Sequence, residues 1–173
     1  ERNRSSFGIT ASRHTRYLGW RLFENPNTSY DVYVARRGGD VVGLVVIERT
    51  EAQQAIVCDM AVDGNRDALF DTVMQLTLQA LADDGVHVVM FPTLRSDNGL
   101  NRSIARNGFR SFTALTGWAL KILKKEEVQL YVHILDPELD EARVRDPANW
   151  YFTSLLTEGL CHSGSVISSL ERR

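Results

Sequence analysis

Cysteine is scarce in this chain. Of 173 residues only Cys58 and Cys161 are cysteines, so one disulfide is the most the sequence allows, and no disulfide framework can replace a core. An excess of one charge is also missing. Twenty basic against 22 acidic residues give a formal net charge of −2, whereas a general electrostatic binder of nucleic acid would be far more basic. No apolar run reaches the length of a membrane span, and no signal-peptide pattern opens the chain. Neither a nucleic acid nor a membrane is therefore an expected partner, and a reducing cytoplasm is the default location. His14, His87, His133 and His162 are scattered, without an HxxxH or HxH pair, and no cysteines lie close enough for a zinc motif, so no metal site is expected. There is no G-x-S-x-G and no P-loop lysine motif, which removes support from hydrolase and nucleoside-triphosphatase readings. No internal repeat stands out.

What is present is an ordinary globular composition, with 43% hydrophobic and 24% charged residues, in a length that suits one domain with a proper core. Residues 1–12 read as a polar arm or a short edge strand. From Arg13 to Glu24, Tyr17, Leu18, Trp20, Leu22 and Phe23 recur at helical steps, and Asn25-Pro26-Asn27 ends the helix. Trp20 and Tyr17 could line a groove or pack in a core, and Arg13, Arg16 and Arg21 could meet an anion or form a solvated face. Strands are expected over Tyr30–Arg36, Val41–Arg49 and Ala55–Val62, the first two joined by a Gly38-Gly39 hairpin turn. Asp67 can cap a helix from Ala68 to about Asp84, which Gly85 stops. Val86–Phe91 is a fourth strand and Asn98–Arg106 another helix, closed by Asn107-Gly108. Further strands are expected at 109–113, 117–123 and 129–135. Lys124-Lys125-Glu126-Glu127 reads as a solvated turn, and 163–173 as a loosely held tail. A helix between Ala55–Val62 and Val86–Phe91 makes a βαβ unit, so these strands should be parallel, with a ligand-sized crevice beside the end of the first.

This succession resembles the GNAT acyltransferase superfamily. Tyr33-Val34-Ala35-Arg36 with Gly38-Gly39-Asp40-Val41-Val42-Gly43 is similar to that family's hairpin, Asp59-Met60-Ala61-Val62 to its central strand, and Asn107-Gly108-Phe109 to the end of its second conserved helix. The match runs from Tyr30 to about Leu135. The stretch Trp20 to Pro26 and the aromatic triplet Trp150-Tyr151-Phe152 resemble GNAT-like proteins of bacterial polysaccharide synthesis, some built from two GNAT-like halves. The resemblance implies an α/β fold, a GNAT-like, mostly antiparallel mixed sheet with a central βαβ crossover and flanking helices. It implies a domain over 1–135 and a C-terminal extension over 136–173. Because the chain opens at Glu1 and not at methionine, an N-terminal GNAT-like half before it is one expected partner, and a homodimer another.

By the same resemblance the chain would move an acetyl or other acyl group from acyl-CoA, with acetyl-CoA as cofactor, to a small-molecule or peptide amine. The amine must lose a proton. Asp59 and Glu48 are the candidate catalytic bases, each of which could instead be a solvated or ion-paired strand charge. Backbone amides of Met60 and Val62 would hold the pantetheine arm and the oxyanion. Gly64, Asn65 and Arg66 would meet the diphosphate, while Asn98 and Asn101 could touch the cofactor or serve the helix. The sequence departs from the family pattern at Asp67, where a basic or amide residue is expected, at Ala68 and Phe70, where glycines are, and at Ile104, where a tyrosine often stands. These departures favour a rival reading, a non-catalytic GNAT-like module for binding or dimerisation. Cys58 is expected to be an inert core thiol. A transfer from aminoacyl-tRNA gains nothing from the low net charge.

Overall fold

The computed structural model describes residues 14–26, 29–49, 53–65, 67–93, 98–110, 140–146, 149–150 and 153. The arm at 1–12, most of the three strands expected beyond residue 108, the charge cluster at 124–127, the Tyr151-Phe152 part of the aromatic triplet and the tail lie outside them; of the strand expected at 109–113 only Phe109 and Arg110 are described, in no strand, with Phe109 packed against the core.

Among the described residues four strands form one sheet in the order β1-β2-β3-β4. β1 (Asp31–Arg37) and β2 (Asp40–Arg49) make a hairpin. Its two-residue turn has Gly38 at φ 57° and Gly39 at φ 93°, the pair of positive φ angles that a strand-matched tight turn requires. β3 (Gln54–Val62) runs antiparallel to β2. α2 (Asp67–Asp83) then crosses over to β4 (Val88–Met90), which is parallel to β3. The sheet is thus mixed and mostly antiparallel, and among the described residues the βαβ unit lies at its β3–β4 end rather than at its centre. α3 (Asn98–Arg106) follows, and a short α4 (Glu141–Arg145) is capped by the Asp140 carboxylate.

β4 is shorter than its apolar run predicts. α2 ends with Gly85 at φ 79°, and its last carbonyls are satisfied by N–H groups beyond it: Gly85 to Ala82 at 3.0 Å and Val86 to Leu81 at 2.9 Å. Val86 is spent on the cap, so strand pairing starts later.

Each sheet face has its own cluster. α2 and α3 lay Leu69, Phe70, Val73, Met74, Leu81 and Ile104 on Val45, Ile47, Val57, Met60 and Val62. Burying a side chain such as Met74 or Leu81 contributes about 1.5–3 kcal/mol. Gly43 lets α2 approach, since a Cβ there would stand 3.0 Å from Val73 Cγ2. The opposite face holds Leu22, Tyr30, Val46, Ile56 and Cys58. It is covered by the first helical segment, which is not one regular helix. α1 (Thr15–Gly19), capped by His14, passes into a π-helical turn at Trp20–Glu24. This changes the expected arrangement: Arg21 is buried and Trp20 and Phe23 are exposed.

Candidate active site

The site is organised by one irregularity in β3. Val46 pairs with Asp59, but the next pair is Ile47 with Val57. Cys58 is therefore an extra residue, a β-bulge. Before it, Ala55 and Val57 face α2; after it, Met60 and Val62 do. Without the bulge the even-numbered pair would face the other way. Asp59, opposite Val46, is consequently turned to the Cys58 face, away from α2.

Asp59 is 1% exposed, which removes the reading of it as a solvated strand charge. Its Oδ1 accepts the backbone N–H of Met60 at 3.0 Å. Glu48 is half-buried, and the Cys58 thiol lies 3.8 Å from Glu48 Oε2. The bulge thus brings Glu48, Cys58 and Asp59 to one face. Cys58 is buried and forms no disulfide among the described residues. Farther along the same face, the row of Val34, Leu44 and Ala61 is less covered, and Val34 is exposed.

The parallel pairing of β3 with β4 runs only from Gln54↔Val88 to Ile56↔Met90. Past Ile56, β3 has no strand on that side among the described residues. An extended apolar arm fits such an edge, and the bulge lies two residues beyond its start.

At the far end of β3, Asp63–Asn65 form a tight turn with Gly64 at φ 67°. Arg37, Val42, Asp63, Ala68, Leu69 and Thr72 line a cavity of about 280 Å³ on the hairpin side of α2. On its other side, Arg106 Nη2 lies 3.3 Å from Asp67 and Nε lies 3.2 Å from Asp71. Hydrogen bonding to Asp71, with the nearby carboxylate charges, holds the Arg106 guanidinium above its ordinary value. Asp67 is the first residue of α2 rather than the residue before it, so there its negative charge complements the helix dipole and pairs with Arg106 of α3. Phe70 and Ile104, two of the departures from the expected pattern, are buried core residues.

The other expected binding residues are dispersed. Asn101 accepts a hydrogen bond from the Thr93 hydroxyl at 2.6 Å. Asn98 opens α3, and Asn65 closes the tight turn. The side chains of Asn98 and Asn65, and all of Arg66, lie outside the described residues. Arg37 and Arg106 were not among the expected site residues, and Arg21 was expected either to meet an anion or to form a solvated face. Arg21 had a signal: it stands four positions after Tyr17, on the stripe that turns inward.

No family model matches the chain, and no curated protein matches it. Two solved structures are similar to it. One is a Bacillus subtilis acetyltransferase in complex with CoA, at 15% identity and a TM-score of 0.45 over 56% of this chain and 62% of that one. The chain thus spans less than two thirds of that protein's length. The other is an aminoglycoside acetyltransferase from an uncultured soil metagenomic sample, in complex with sisomicin, at 17% identity and a TM-score of 0.45 over 73% and 77%. On the order and direction of its own strands and the α2 crossover, the chain has a GNAT-like α/β architecture.

Proposed function

We propose that the chain is an N-acyltransferase domain that moves an acetyl or other acyl group from acyl-CoA to an amine. The supporting observation is the bulge at Cys58, which sets a buried carboxylate, Asp59, beside the point where β3 and β4 stop pairing. In this reading Asp59 or Glu48, or a water they orient, takes the proton as the amine nitrogen bonds to the acyl carbon. The carbon–sulfur bond breaks and CoA leaves as thiolate. The β3 edge toward Val62 would hold the arm and the oxyanion, while the Met60 N–H is already given to Asp59 Oδ1. Gly64, Asn65, Arg66, Asn98 and Asn101 remain the candidates for the rest of the cofactor. The acceptor is a small-molecule or peptide amine, and the reaction belongs in the cytoplasm, where acyl-CoA is available. Among the described residues no helix is long and apolar enough to cross a membrane.

Titration of the full chain with acetyl-CoA by calorimetry tests this. A dissociation constant near micromolar, about −8 kcal/mol, is expected. No heat at millimolar acetyl-CoA would overturn it.

A second reading has its own support. Asp63 and Asp67 stand at the start of α2, and Phe70 is locked in the core, an arrangement poorly suited to a diphosphate. The chain would then be a non-catalytic module whose partner is a second copy or a GNAT-like half. β1, which has no strand on its outer side among the described residues, would offer the edge for pairing. The same titration separates the two readings.

A further inference from the structure

Arg21 has no part in the chemistry above, yet it is only 4% exposed. Its guanidinium carbon lies 5.8 Å from the centre of the Tyr30 ring. Tyr30 precedes β1, and one step beyond the Asp31↔Ile47 pair sets it beside Glu48. Glu48 pairs in turn with Ile56. Tyr30, Glu48 and Ile56 therefore form one row across the face beneath the π-helical turn. The next row is Val32, Val46 and Asp59, with the bulged Cys58 between the rows.

Two carboxylates on one largely covered face repel each other. A buried guanidinium is costly unless an anion faces it. Both problems are solved by one contact. We infer that Arg21 is a positioning residue that holds the Glu48 carboxylate, as an anion, over the Cys58 bulge and at a fixed place relative to Asp59. The titratable groups set around Glu48 on this face are Tyr30 from the start of β1, Arg21 from the π-helical turn, and Cys58 and Asp59 from β3. Among the described residues of this face Arg21 is the cation. The aromatic face of Tyr30 fixes where the guanidinium sits, and the π-helical turn is the local distortion that brings Arg21 inward beside Leu22. The catalytic meaning of this contact rests on the acyltransferase reading; the contact itself does not.

The test is a carboxyl-carbon NMR titration of the full chain, with the Glu48 signal assigned by its loss in Glu48→Gln. In Arg21→Met the Glu48 midpoint should rise by about 1–3 pH units, and Arg21→Lys should return it toward the parent's value. An unchanged midpoint in Arg21→Met overturns the inference. Should that variant not fold, the Arg21 Nη–H resonances in Glu48→Gln decide instead: they should move, and unmoved resonances overturn the inference. Failure of acetyl-CoA to bind would count against the acyltransferase reading while leaving the titration result standing.

Discussion

Asp59 is hydrogen-bonded to its own successor: its Oδ1 accepts the backbone N–H of Met60 at 3.0 Å. A side chain that reaches the next amide in this way fixes the peptide plane between the two residues. It also ties the carboxylate to the bulge that buries it.

Asp59→Asn keeps the shape of the side chain but removes its basicity. If Asp59 takes the proton, the rate of acetyl transfer to a primary amine should fall by about 100-fold or more, with circular dichroism and acetyl-CoA affinity little changed. A rate within a few-fold of the parent's would assign the proton to Glu48.

Phe70 lies where a phosphate-binding loop would place a glycine, yet it packs in the core between α2 and the sheet. Phe70→Ala should cost about 3–5 kcal/mol in urea unfolding. A cost below about 1 kcal/mol, outside that range for a buried phenylalanine, would show that the side chain does not pack there.

Gly43→Ala introduces a Cβ at 3.0 Å from Val73 Cγ2 and 3.3 Å from Ala35 Cβ. Overpacking at that contact should destabilise by about 1–3 kcal/mol. Combining it with Val73→Ala should recover part of the loss in the same urea measurement, because the clash is with that side chain.

Arg49 on β2 bonds Asp84 beyond α2 at 2.6 Å, the Tyr33 hydroxyl at 2.8 Å, and Asp31. The Asp84 and Asp31 bonds hold its guanidinium above its ordinary value. A cation whose value is raised on folding contributes fully below its unfolded value and loses that contribution only as pH rises through the folded one. Both lie above the working range, so the stability difference between parent and Arg49→Met should stay flat from about pH 6 to about pH 10. Because the partners are open to solvent, the difference should be below about 1 kcal/mol and shrink with salt.

The hairpin, β2, α2 and α3 were legible because their signals are local. Paired glycines mark the turn, helical spacing marks α2, and Asn107-Gly108 marks the end of α3. The bulge was not legible. Ala55 to Val62 is apolar at nearly every position, so a change of phase leaves no trace in the pattern and exists only in the register with β2. For the same reason Asp59 could be read as exposed. Arg21 was left open between meeting an anion and forming a solvated face, and its burial beside the π-helical turn excludes the solvated face. β4 was read too long because Val86 belongs to the apolar run but serves the end of α2. The short α4 had a cap signal in Asp140, masked by the acidic, turn-rich residues before it.

β3 is, in effect, two half-strands of opposite phase joined at Cys58. Ala55 and Val57 on one side and Met60 and Val62 on the other all belong to the α2 cluster only if the extra residue stays where it is. A uniform strand can slide along its neighbour by two residues and keep its apolar side inward. This one cannot, because any slide carries the kink away from Val46 and sets one half against the wrong layer. The residue that places the carboxylate therefore also works as a key, admitting a single alignment of β3 with β2.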